Sequence, residues 1–141
     1  WLIEVLDNQT HEDYELHVPD DFIKRVEMRM GLNKSFVPKT AHELRCAGKK
    51  LRNCVGSYAK SVLAREKDIV LVSDKTGDLI ICIEVCNNEI KQAKLFSNAG
   101  VEKDIVLNEQ VKSWAKKAEL KIATFDVNME EPEKTEQLIA V

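Results

Sequence analysis

No apolar run in these 141 residues approaches the roughly 20 that a membrane-spanning helix needs, so a helical membrane span is excluded. Residues 1–12 carry charges and His11 and lack an apolar stretch flanked by small residues, which excludes a secretory signal in them. The four cysteines, Cys46, Cys54, Cys82 and Cys86, are too few and too unevenly spaced for a disulfide scaffold. Cys82 and Cys86 lie within an apolar run, as free thiols do in a reducing compartment, so a soluble, cytosolic protein is expected. Neither cysteine pair has the close spacing of a zinc knuckle. His42 and Cys46 stand four apart on a helix with no third ligand nearby in sequence. No metal and no cofactor is expected. Histidine is scarce as well: His11, His17 and His42 all precede Cys54, so the strands after it offer no imidazole. The first residue is Trp1, not Met, which points to a piece cut from a longer chain.

What is present is charge, unevenly distributed. Residues 1–31 hold eight acids and three bases, and residues 122–141 hold five acids and one base. Residues 44–67 hold seven bases against Glu66 alone, a local charge of +6 inside a chain whose net charge is −3. A basic segment between acidic ends implies a localised anionic partner, or contact with the protein's own acidic termini.

The apolar pattern reads as one α+β domain over residues 1–127, followed by an acidic, fraying tail over 128–141. Residues 1–6 and 14–18 are expected as short strands. Pro19-Asp20-Asp21 then starts a helix through Phe22, Ile23, Val26 and Met30, stopped by Gly31. Thr40 and Glu43 form a capping box before a helix over 41–52. A second helix follows over 54–65. Strands at 69–73, 79–86 and 90–96 make a three-stranded antiparallel meander, and a helix over 104–119 packs across it. Residues 122–127 are a further candidate strand. In the middle strand Glu84 falls opposite Lys91 if the Asn87-Asn88 loop has two residues, and opposite Gln92 if it has three.

On the first of the paired helices, His42, Arg45, Lys49 and Arg52 recur at i, i+3, i+7 and i+10, with Lys50 beside them and Cys46 on the same polar side. Such a stripe tracks a phosphate backbone or is a solvated helix face. No aromatic residue interleaves with it, so base stacking is not signalled. Cys54 follows Asn53 in the first turn of the next helix, with Arg52 and Lys50 nearby, a setting that favours a thiolate. It is a nucleophile, or a small buried side chain beside a Gly56 that permits close packing. A nucleophile also needs a base, and the sheet supplies Glu84 and Gln92 rather than His. Glu84, an acid within an apolar strand, needs a partner such as Lys91, Gln92, Tyr58 or a helix amide.

The run Leu51-Arg52-Asn53-Cys54-Val55-Gly56-Ser57-Tyr58 resembles the central motif of the PcfJ-like proteins, which occur on conjugative elements, in phages and in bacterial chromosomes. The resemblance extends in order over roughly residues 36–116 and implies matching positions at Glu84, Gln92, Asn98 and Trp114. Two positions depart from the pattern: Asn53 stands where many relatives carry His, and Ala93-Lys94 replaces a glycine after Gln92. The resemblance implies an accessory domain of a mobile-element, conjugation or phage-type bacterial protein. Cys54, Tyr58, Glu84 and Gln92 would form a structured pocket, and Arg45, Lys49, Lys50, Arg52 and His42 would engage DNA, RNA or an acidic protein surface. A cysteine-dependent enzyme with Cys54 as nucleophile, and a purely structural interaction module, are the alternatives.

Overall fold

The computed structural model describes residues 13–53 and 55–131. The strand expected over 1–6, the residue Cys54 and the chain after 131 lie outside the described residues. Within them the α+β class holds, but the sheet is larger than a three-stranded meander. Six strands lie in chain order, β1 (Arg29–Met30), β2 (Asn33–Phe36), β3 (Asp68–Ser73), β4 (Leu79–Cys86), β5 (Glu89–Lys94) and β6 (Lys121–Ile122). The first five pair antiparallel, while β6 joins β5 in parallel. The expected meander is the middle of this sheet.

The added edge strands have identifiable causes. Helix α1 (Asp20–Val26) stops a turn earlier than the spacing of Met30 implies. Its last carbonyl, that of Val26, accepts hydrogen bonds from the Ser35 hydroxyl at 2.5 Å and from the Trp114 indole at 2.8 Å. Tertiary donors thus replace the next helical amides. Gly31, expected as the stop of that helix, is instead the turn residue of a hairpin: at φ +68° it lets Met30 pair with Asn33. Residues 14–18 contribute a single bridge, Glu15 to Thr40, and the candidate strand 122–127 is reduced to β6.

Helix α2 (Ala41–Leu51) is capped by Thr40, whose hydroxyl accepts from the Glu43 amide at 3.2 Å. The Glu43 carboxylate reaches the Lys39 amide at 2.8 Å rather than that of Thr40, so the box is displaced by one residue. The expected second helix is split into a 3₁₀ turn, Val55–Tyr58, and a short α3 (Ala59–Leu63). Helix α4 (Ile105–Lys117) begins on Asp104, whose carboxylate accepts from the Leu107 amide at 3.0 Å.

The two faces of the sheet feed two cores. Ile69, Leu71 and Cys82 pack against Leu44, Ala47, Leu51, Val55 and Val62 of the α2–α3 layer. Val70, Val72, Ile81, Ile83 and Ala93 pack against Val26 and the Val111, Trp114 and Ala115 face of α4. This two-sided cover is why β3 is buried throughout and β4 is apolar on both faces. No helix among the described residues is long and apolar enough to cross a membrane.

Candidate functional site

Helix α2 and the 3₁₀ turn after it cross closely because both carry glycine at the contact. A Cβ on Gly48 would lie 2.9 Å from the Gly56 amide nitrogen, and one on Gly56 would lie 3.1 Å from the Arg45 Cα. Between these elements the chain reverses at Arg52, which ends α2 in the left-handed conformation (φ 51°, ψ 54°), and at Asn53. The Asn53 carboxamide oxygen accepts from the Val55 amide at 3.0 Å and holds the reversal in shape.

That reversal forms one wall of a cleft against the sheet. Asn53, Val55 and Tyr58 face Glu84, Gln92 and Lys94, with Ile69 and Cys82 as the apolar floor and Asn98 at the rim. The space within it is about 20 Å³, room for about one water molecule. The cleft gathers Asn53, Val55, Tyr58, Glu84, Gln92 and Asn98, all positions that the sequence singled out. Cys54 itself is outside the described residues, but both of its chain neighbours line this cleft. Trp114 does not join them. It is buried on the opposite face of the sheet, donating to Val26.

Glu84 is the electrostatic centre. Its side chain is 13 % exposed, and its Oε1 lies 3.6 Å from the Lys67 ammonium and 3.4 Å from the donating Gln92 amide. The Lys67 ammonium also sits 4.1 Å from the centre of the Tyr58 ring. Of the partners expected for Glu84, Gln92 is present and Lys91 is not; Lys91 pairs with Glu89 at 2.9 Å. Lys67 was missed by sequence reasoning, because its place beside Glu84 follows from strand register. Ile69 pairs with Glu84, and Lys67, two residues earlier, is its diagonal neighbour on the same face. Lys94 was missed too. It is held at the cleft by Asp126, 2.7 Å away, whose other oxygen accepts from the Ala93 amide at 3.0 Å.

The basic residues of α2 do not form one solvated stripe. Lys49, Lys50 and Arg52 are exposed at the end of the helix, and His42 is exposed at its start. Arg45 is half-buried where α2 meets Gly56. The His42 ring nitrogen lies 3.4 Å from the Cys46 sulfur. The Arg52 guanidinium lies 5.4 Å from the centre of the Phe96 ring, an aromatic brought from the far end of β5. Among the described residues no three His, Cys, Asp or Glu side chains gather as a metal site.

A family model described as PcfJ-like protein matches residues 6–112, well over half of the chain. No curated protein matches the chain, and neither does any solved structure.

Proposed function

The chain belongs to the PcfJ-like family, and on that premise we propose that it is an accessory domain of a mobile-element, conjugation or phage-type bacterial protein, acting in the cytoplasm by binding nucleic acid. The observation that carries this reading is the place of Arg52. It follows Lys49 and Lys50 at the end of α2, precedes Asn53 of the cleft wall, and lies over Phe96 in the turn that also carries Asn98. The basic end of the helix and the polar cleft therefore meet at one edge. Cations beside an aromatic and carboxamide side chains suit a phosphate-and-base polymer better than an acidic protein surface, which needs charge alone.

Fluorescence anisotropy with labelled oligonucleotides tests it. Replacing Lys49, Lys50 and Arg52 by Gln should weaken binding and lower the slope of log affinity against log salt by about 0.7–0.9 for each cation that contacts phosphate. The circular dichroism spectrum should not change, because exposed substitutions shift stability by only about ±0.5 kcal/mol. Absence of binding at low salt, or equal slopes for the two proteins, refutes the reading.

One observation favours a second reading, a cysteine-dependent enzyme. Asn53 and Val55, the chain neighbours of Cys54, line the same cleft as Glu84 and Gln92, a carboxylate and an amide donor of the kind that orients or polarises a reacting group.

A further inference from the structure

We propose that the rim of the cleft is a binding site for one unpaired nucleobase, stacked on Phe96, so that the domain prefers single-stranded to duplex nucleic acid. The inference deepens the nucleic-acid reading above and rests on it.

Phe96 is 54 % exposed and belongs to neither hydrophobic core. It is nevertheless held firmly. The turn Phe96–Asn98 is closed by the Leu95 amide donating to the Ala99 carbonyl at 2.6 Å and by the bridge between Lys94 and Gly100. Within it Ser97 and Asn98 both adopt positive φ, 57° and 64°, a conformation that Asn tolerates and that is costly for Ser. A strained, pinned turn thus presents an aromatic ring that contributes nothing to folding through the core. Its neighbour is a guanidinium, which supplies a cation for phosphate and a second planar surface for a base.

The surrounding amides fit the edge of a base. Asn98 is exposed, and its side chain makes no hydrogen bond among the described residues. Asn53 spends its oxygen on the Val55 amide and leaves its nitrogen without a partner among them. Carboxamides that donate and accept can read the Watson–Crick edge of a splayed base. The cleft, at about 20 Å³, cannot admit a base, which therefore lies across its mouth on the ring rather than inside. A base paired and stacked within a duplex cannot reach that position without leaving its stack.

The experiment compares a fluorescein-labelled oligothymidylate dodecamer with a duplex dodecamer, using wild type, Phe96→Ala, Phe96→Tyr and the Lys49, Lys50, Arg52 triple Gln variant. Wild type should bind the single strand more tightly. Phe96→Ala should lower single-strand affinity about tenfold, the scale of one base–aromatic stack, and leave duplex affinity unchanged. Phe96→Tyr, which keeps the ring, should restore it. If Phe96→Ala changes both affinities equally or neither, the base site is wrong. If wild type binds duplex as tightly as single strand while the triple variant flattens the salt slope, the base site falls and the nucleic-acid reading stands. If wild type binds neither probe, both fall.

Discussion

Glu84 stands directly opposite Gln92 across β4 and β5, although the turn that joins the two strands has only two residues. Asn87 and Asn88 both have positive φ, 52° and 60°, as a tight hairpin turn of that length requires. The turn pairs Cys86 with Glu89 and Val85 with Ile90. Continued without interruption, that register would bring Lys91 to Glu84. A bulge intervenes, leaving Lys91 exposed and unpaired in the ladder and moving Gln92 into the opposing place. The two readings of the loop in sequence were each half right: the loop is the short one and the pairing is that of the long one.

The pairing fixes what removal of Glu84 should do. Glu84→Gln leaves the Lys67 ammonium, only 25 % exposed, without its carboxylate. The contacts are long, so the loss should be about 1 to 2 kcal/mol, below the 3–5 kcal/mol of a fully buried pair. Urea denaturation measures it. Adding Lys67→Met to Glu84→Gln should recover part of the loss. A double variant as unstable as the sum of the single ones would show that the two groups do not interact.

Much of the fold was legible because local signals and burial agree. Thr40 and the apolar spacing of Val111, Trp114 and Ala115 defined their helices to within a residue or two. The β3–β5 strands followed from runs of β-formers. The hairpin of β1 and β2 was not legible, since Met30 continues the helical spacing of Val26 and only the distant donors Ser35 and Trp114 end the helix there. The site was half legible. Its members on the motif and on the strands could be named from the family resemblance, but Lys67, Lys94 and Phe96 depend on register and on a loop closure that composition does not encode. Arg45 departs from the basic stripe for a related reason: a helical wheel places it with Lys49, and the wheel cannot show that Gly56 packs against it.

The Gly48–Gly56 crossing should resist the substitution that helix propensity favours. Ala in place of Gly in a helix interior gains about 1 kcal/mol from backbone entropy. At Gly48 the added Cβ meets backbone, the Gly56 nitrogen at 2.9 Å, and overpacking of that kind costs about 1–3 kcal/mol. Gly48→Ala should therefore lower the melting temperature, while Lys50→Ala on the exposed side of the same helix should leave it nearly unchanged. A Gly48→Ala protein more stable than wild type would show that the crossing has room to open.

The turn between β3 and β4 should contribute a specific piece of the acid sensitivity. The Asp74 carboxylate accepts from the Thr76 hydroxyl at 2.6 Å, from the Thr76 amide at 2.9 Å and from the Asp78 amide at 3.1 Å. These bonds, the hydroxyl first, hold its carboxyl below its ordinary value of 3.8. Between the folded and unfolded values the unfolded chain binds more protons. The stabilisation is therefore complete above the unfolded value and is lost as pH falls through the folded one. Asp74→Asn keeps an oxygen acceptor for the turn and does not titrate. Below about pH 4 its urea midpoint should fall less steeply than that of wild type. Parallel curves for the two proteins would mean that these bonds do not couple to folding.

Thiol reactivity separates the two functional readings, and the structure dictates how it must be measured. Cys82 is 6 % exposed, and the Cys86 thiol donates to the Glu66 carbonyl at 3.3 Å. Cys46, on the polar side of α2, would be the natural reference, but its sulfur lies 3.4 Å from the His42 ring nitrogen. A Cys46→Ser background removes that thiol. In it, iodoacetamide should label Cys54 slowly at neutral pH, with a rate that climbs with pH toward the ordinary thiol range of about 8.5, as a non-catalytic position requires. A nucleophile prepared by the cleft would behave otherwise. Its labelling would already be fast and level at neutral pH, and Glu84→Gln or Gln92→Ala would alter the profile, because those side chains would orient or polarise the reacting group. That second pattern would transfer the function of the cleft from binding to catalysis.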